Sequence, residues 1–268
     1  MTTRRFTRAL VTGASSGIGD AFARLLAARG VATVLVARSA DQLADLAAGL
    51  RTEHAGDPGG DVEVLPADLT DPAGLQKVCD RLTDEDLPID LLVNNAGAGQ
   101  VGAFAELDVQ DAETAVRLNV LAPLRLTHAA LPALAERGGA VLNVASVAAF
   151  QPVPMMATYA ASKAFLSSWS EALYEELRDA GVTVTALAPG FTRSGFVDAA
   201  DAEDIATRIP GFVWDSPEEV ARAGLDGVAR GRALVVPSWL YRVGVAASSV
   251  TPTLVTRRLV GGVTRRLR

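Results

Sequence analysis

The sequence predicts a doubly wound α/β fold in one domain, a parallel sheet with helices on both faces. Three observations predict it. Strand and helix patterns alternate along the chain with few breaks, as βαβ units require. The length of 268 residues suits one large α/β domain, because such folds run past the usual domain size as a single unit. No internal repeat, low-complexity linker or shift of composition marks a second domain.

The elements follow in order. Ala9 to Val11 is a short aliphatic strand, and a glycine-rich run leads from it into a helix from Asp20 to Arg29. Thr33 to Ala37 is the second strand. In Asp41 to Arg51, Leu43, Leu46, Ala47 and Leu50 recur at helical spacing, and His54 to Gly60 is a polar turn. Val62 to Leu65 is a third strand, ending at Pro66-Ala67-Asp68-Leu69 before the turn Thr70-Asp71-Pro72. Ile89 to Val93 is a strand, Leu118 to Leu134 an apolar-rich helix with a kink expected before Pro123, and Ala140 to Ala145 a buried strand. Val182 to Ala188 is the next strand. Ser216-Pro217-Glu218-Glu219 is a capping box with proline at the first helical position, so a helix starts there and runs to about Arg230. Ala233 to Val236 closes the sheet. The domain is placed at 1–237, with a basic, partly apolar tail at 238–268.

Composition narrows the class. The chain is 49% apolar, enough for a substantial core, and carries a net charge of −6. Cys79 stands alone, so no intrachain disulfide can form and a reducing, cytoplasmic setting is expected; a packed, inert thiol is favoured over a reactive one. The basic start Thr3-Arg4-Arg5 runs straight into the first strand rather than into the apolar stretch of a signal peptide. No apolar run approaches the roughly 20 residues of a membrane span.

Two local patterns carry chemistry. Thr12-Gly13-Ala14-Ser15-Ser16-Gly17-Ile18-Gly19 links the first strand to its helix. Glycines there permit a tight turn and a close backbone approach, and the helix N-terminus offers free N–H groups to a phosphate. Tyr159 and Lys163 lie four residues apart, on one helix face, where an ammonium can stand beside a phenol and lower its pKa. Ser146 ends the strand Ala140 to Ala145 and brings a hydroxyl to the same place. Together Ser146, Tyr159 and Lys163 describe an acid/base site aimed at a carbonyl or alcohol oxygen.

From about Arg8 to Pro237 the chain resembles the short-chain dehydrogenase/reductase family. The resemblance rests on the T-G-x-x-x-G-I-G loop, Asn94-Asn95-Ala96-Gly97 after a strand, Asn119, the S…Y-x-x-x-K set, and Pro189-Gly190 after the strand Val182 to Ala188. The glycine spacing argues against the family's longer, extended branch. The resemblance implies a Rossmann-like fold, a nicotinamide cofactor, a homodimer or homotetramer, and a catalytic tetrad of Asn119, Ser146, Tyr159 and Lys163. Tyr159 would exchange the proton, and Lys163 would bind the nicotinamide ribose and depress the Tyr159 pKa. Asn119 would anchor a water linking Lys163 to solvent. Cofactor contacts are implied for Gly13, Ser15, Ser16, Gly17, Ile18, Gly19, Asn94, Asn95, Ala96, Gly97, Pro189, Gly190 and Thr192, with Asp68 and Leu69 flanking the adenine. Asp68 can equally be a simple turn residue. No metal and no nucleic-acid partner are expected.

The end of the second strand decides the form of the cofactor. An acidic residue there would bind a ribose diol; Ala37 cannot, whereas Arg38 can grip a 2′-phosphate in a bidentate contact, so NADP is expected. A merely solvated Arg38 is the alternative. Phe150, Pro152, Val153, Pro154, Met155 and Met156 before Tyr159, and Phe191, Phe196, Ile205, Ile209, Phe212 and Trp214 after Gly190, favour an apolar carbonyl or alcohol substrate or, equally, a subunit interface. Arg193 and Arg208 are solvated charges or anion contacts. His128 reads as structural. Two functions fit: an NADP(H)-dependent carbonyl reductase, or an NADP-binding sensor or scaffold without turnover. The intact tetrad favours the enzyme.

The charge balance reverses near the end. After Asp226 there are eight arginines and no acid, leaving 17 basic against 31 acidic residues upstream, a net −14. As a helix, Leu254 to Arg268 would place apolar and arginine residues on opposite sides, the profile of an interfacial helix drawn to anionic lipid. Docking of this tail on the acidic body is the other reading, and Gly261-Gly262 weakens the helix.

Overall fold

A computed structural model describes residues 4–193 and 210–250. Seven strands form one parallel sheet in the order β3-β2-β1-β4-β5-β6-β7: β1 is Arg8–Thr12, β2 Ala32–Ala37, β3 Val62–Pro66, β4 Leu91–Asn94, β5 Ala140–Val144, β6 Thr183–Leu187 and β7 Leu234–Val235. From β1 the chain builds outward through β2 and β3, then returns to β4 on the other side of β1. The order reverses there, and in open α/β sheets the crevice beyond the strand C-termini at such a point receives ligands.

Both faces of the sheet are covered because the strands are apolar on both sides. Ala9 and Val11 of β1 join one core with Phe22 and Leu26 of α1 (Gly17–Ala28), Leu43 and Leu50 of α2 (Ala40–Glu53) and Val220, Leu225 and Val228 of the helix Pro217–Ala229. Leu10 of β1 points the other way, as a period of two demands, and meets Leu75, Val78 and Leu82 of α3 (Pro72–Leu82) and Leu126 and Leu134 of α5 (Ala122–Arg137). All seven strands were legible in sequence, with boundaries within two residues; their order was not. The capping box is present: Glu219 N–H donates to Ser216 Oγ at 3.2 Å and Ser216 N–H to Glu219 Oε2 at 3.0 Å, opening α7 (Pro217–Ala229).

Helix α3 has no counterpart in the sequence reading, although its signals are ordinary ones. Asp71 caps it by accepting from Gly74 N–H at 2.9 Å, Pro72 sits at the first turn, and Leu75, Val78, Cys79 and Leu82 form the buried stripe. Cys79 is buried there, and desolvation pushes its thiol pKa up, which disfavours the thiolate. The helix expected over Leu118 to Leu134 is a longer rod of three parts: α4 (Val109–Val116), a π-helical turn Arg117–Leu121 and α5, which ends at Gly138 with φ 62°. The irregularity is the π turn, which lies just before Pro123 and has Asn119 at its centre. His128 is exposed on α5 rather than structural in the core.

Helix α6 (Ala157–Glu176) follows β5, and α8 (Trp239–Val250) follows β7. Under the site a chain of buried side chains crosses the sheet. Asn94 Nδ2 donates to Thr127 Oγ1 at 3.1 Å and Asn143 Oδ1 at 2.8 Å, and Asn143 Nδ2 to Ser170 Oγ at 2.8 Å. Phe196, Ile205, Arg208, Ile209, Gly261, Gly262 and the tail from Leu254 to Arg268 lie outside the described residues.

Candidate active site

The C-terminal ends of β1, β4, β5 and β6 bring the predicted residues to one edge of the sheet. The loop after β1 turns at Gly13 and Gly17, with φ 66° and 56°, and is tied to β2 by Ala14 N–H donating to Val36 C=O at 3.2 Å. At Gly13 a Cβ would come within 2.9 Å of Ala96 Cα, and at Gly19 within 1.9 Å of the Gly13 carbonyl oxygen, so neither position tolerates a side chain. Thr12 joins this loop to the next: its Oγ1 accepts from Asn95 N–H and Ala96 N–H, both at 3.0 Å. Sequence reasoning gave Thr12 no role.

Helices α2, α3, α4 and α7 each close their N-terminus with a side-chain cap; α6 does not, and neither does α1, although Ser16 stands at its cap position. Its first-turn N–H groups and dipole therefore face the crevice without a protein oxygen from the cap, which fits a phosphate-bearing cofactor. Ser15 and Ile18 are half-buried beside them.

Asn119 reaches across the π turn to the β4 loop. Its Oδ1 accepts from Ala98 N–H at 2.9 Å, and its Nδ2 donates to Ala98 C=O at 2.7 Å and Ser162 Oγ at 3.0 Å. Ser162, in turn, donates to Tyr159 C=O at 2.7 Å. This buried serine, also missed in sequence, locks α6 to the π turn; a polar residue between Tyr159 and Lys163 on the inward face was its only signal. A Cβ placed at Gly97 would lie 3.3 Å from both Asn119 Oδ1 and Lys163 Nζ, so the three residues meet at one point.

Lys163 is 4% exposed and donates to Val144 C=O at 2.7 Å, and no carboxylate pairs with it among the described residues. Burial lowers its pKa to about 8. A buried ammonium with N–H groups to spare suits hydroxyl acceptors such as those of a ribose. Nζ stands 5.7 Å from the Tyr159 ring centroid. In the cofactor-free chain desolvation pushes the Tyr159 pKa up, opposed by a hydrogen bond with Ser146. Ser146 Oγ also accepts from Ala148 N–H at 3.1 Å, capping a short 3-10 helix, Val147–Phe150.

Other predicted residues are placed differently from one another. Asn94 is buried in the polar chain beneath the sheet and Leu69 in the second core, so neither side chain faces the crevice. Asn95 donates to Thr12 C=O at 2.9 Å and lines the cradle. Arg38 is exposed at the end of β2, next to Asp68. Burial works against the Asp68 carboxylate, but two hydrogen bonds from Thr70 and the Arg38 charge outweigh it and hold the pKa down. Thr192 is buried beside Pro189 and Gly190, its Oγ1 3.3 Å from the Gly190 carbonyl oxygen.

Apolar groups form the outer wall. Phe191 and Trp214 pack with ring centroids 5.6 Å apart. Met155 has φ 70°, in a turn closed by Met156 N–H donating to Val153 C=O at 3.2 Å, with Pro154 at the preceding corner. That corner normally takes glycine or asparagine, and a bulky residue there stores strain of about 1–3 kcal/mol, a feature that clusters at functional sites. The Met155 carbonyl accepts from Gly102 N–H at 2.8 Å, which fixes the wall to the β4 side.

A glycine-turned helix end and the residues Ser146, Tyr159 and Lys163 stand along one edge of the parallel sheet. The chain belongs to the short-chain dehydrogenase family, whose family model matches residues 7–204. It is 31% identical over 265 residues to a ketoacyl reductase of Nostoc sp., covering 96% of this chain and 89% of that one. Among solved structures, an NADPH complex of a short-chain dehydrogenase from Sphingobium yanoikuyae is 37% identical, with a TM-score of 0.80 over 91% of this chain and 93% of that one. A bulky-bulky ketone specific alcohol dehydrogenase from Comamonas testosteroni is 34% identical, with a TM-score of 0.76 over 92% and 95%.

Proposed function

We propose that this protein is an NADP(H)-dependent reductase of a hydrophobic ketone or aldehyde, with Tyr159 as proton donor. The observation that carries the proposal is the meeting of Asn119, Ser146, Tyr159 and Lys163 at the sheet edge beside an uncapped helix N-terminus. When bound, the nicotinamide supplies the hydride. Ser146 holds the substrate oxygen, and Tyr159, protonated at neutral pH, gives its proton as negative charge develops on that oxygen. Lys163 binds the ribose hydroxyls with the N–H groups not used on Val144. Asn119 holds the β4 loop and α6 at a common distance. NADPH oxidation against a panel of ketones, aldehydes and quinones tests the reading; no turnover with any, alongside tight NADPH binding, would leave the sensor or scaffold in its place.

Arg38 supports the choice of NADP, as do the neighbouring structures with bound NADPH or NADP. Arg38→Ala is expected to weaken NADPH binding about 10- to 100-fold, the worth of a charge-assisted hydrogen bond, and to leave NADH nearly unchanged. Titrating both cofactors by fluorescence checks this, and equal losses would show that Arg38 does not read the 2′-phosphate. The apolar wall of Met155, Phe191 and Trp214 supports a lipophilic substrate, in keeping with the relatives named for ketoacyl, steroid and bulky ketone substrates.

Two surfaces bear on partners. A groove of about 520 Å³ between α4 and α6, lined by Phe104, Val116, Val120, Ala161 and Phe165, supports a homodimer or homotetramer. On α8, Trp239 and Val243 are 72% and 61% exposed and precede the arginine-rich tail, a combination that supports peripheral contact with anionic lipid. The full chain should then sediment with anionic liposomes at low salt and release at high salt, and a chain ending before Pro252 should not. The same behaviour from both would make the tail a packing element.

A further inference from the structure

We infer that Tyr241 is a positioning residue that holds the β6 loop in shape from the C-terminal helix, an inference that rests on reading Pro189 to Thr192 as cofactor-contacting. One hydroxyl clasps two separate stretches of chain. Tyr241 Oη accepts from Phe191 N–H at 3.1 Å and donates to Val213 C=O at 2.9 Å. Next to the clasp, Asp215 N–H donates to Phe191 C=O at 2.9 Å and Arg193 N–H to Asp215 C=O at 3.2 Å, so the loop and the returning chain form a short parallel bridge at Thr192 and Asp215.

The ring of Tyr241 explains the glycine at 190. Gly190 does not have a positive φ, so its backbone does not need glycine; a Cβ there would instead lie 1.9 Å from Tyr241 Cε2. Helix α8 is itself fixed from behind, because Arg242 Nε donates to Val236 C=O at 2.7 Å and its Nη2 to Pro237 C=O at 3.1 Å. The helix also packs on Val147–Phe150, the 3-10 turn that Ser146 caps, and Val147 N–H donates to Pro189 C=O at 3.0 Å. The Ser146 loop and the Thr192 loop thus share one support. Burial and the Asp215 charge push the Tyr241 phenol up, with the Phe191 hydrogen bond acting the other way, which keeps the hydroxyl neutral and able both to accept and to donate.

Tyr241→Phe keeps the ring and removes both hydrogen bonds. In the cofactor-free protein, amide hydrogen exchange at Phe191 should speed up, while the NADPH dissociation constant should rise about tenfold with turnover at saturating NADPH changed by less than about threefold. Gly190→Ala should impair NADPH binding in the wild-type background and much less in a Tyr241→Ala background, where the methyl group has room. Wild-type exchange at Phe191 together with additive losses in the Gly190/Tyr241 cycle would overturn the inference. Faster exchange in a protein that binds neither NADPH nor NADH, in either background, would keep the clasp and remove the cofactor reading of the loop.

Discussion

Tyr159→Phe is expected to lower turnover by about 10²- to 10⁴-fold, the usual contribution of a general acid, and to leave NADPH binding within a few-fold of wild type. The ring stays, so the packing of α6 stays; only the proton is lost. In the cofactor-free protein burial raises the phenol pKa, so the Tyr159 hydroxyl should ionise above the ordinary range of a phenol when titrated without cofactor. Steady-state kinetics with cofactor titration on the same preparations check both halves. Activity close to wild type in Tyr159→Phe would remove this residue from the mechanism.

Lys163→Met should abolish most activity and weaken cofactor binding, yet make the protein more stable at neutral pH. The Lys163 pKa falls from an ordinary value of 10.5 to about 8 on folding. Between those values the unfolded chain holds the proton and the folded one does not, so stability rises with pH across that window and the full penalty applies below it. That penalty is about 3 kcal/mol, from which about 1 kcal/mol or more returns because Val144 C=O loses its partner in the variant. A net gain of about 1–2 kcal/mol corresponds to a melting temperature a few degrees higher at pH 7. The advantage over wild type should shrink as pH rises from 8 to 10.5. Thermal unfolding across that range measures it, and a lower melting temperature for the variant at pH 7 would show that the buried ammonium is not a burden.

The strands were legible because each is an aliphatic run with turn residues at its end, and the candidate site because Tyr159 and Lys163 sit four apart on a helix that follows the strand running up to Ser146, which lies two residues past its end at Val144. Helix α3 was within reach of the same rules, since Asp71-Pro72 and the spacing Leu75, Val78, Cys79, Leu82 spell a start and a stripe. What sequence could not supply was depth. Nothing in the order of residues tells that Asn94 and Leu69 turn inward while Asn95 and Arg38 turn outward. The π turn at Asn119 and the contact of Tyr241 with a glycine 51 positions earlier are set by tertiary packing.

The polar chain beneath the site bears on how the sheet assembles. Asn94 and Asn143 are register partners in neighbouring parallel strands, and their side chains meet on the same face, linked onward to Thr127 and Ser170. Sliding β5 by one residue would turn Asn143 to the opposite face, into aliphatic surroundings, and strand its amide without partners at a cost of several kcal/mol. Aliphatic strands alone would forgive such a slip, because apolar side chains lie on both of their faces. The two asparagines act as a proofreading mark, admitting only the alignment in which Ser146 arrives beside Tyr159.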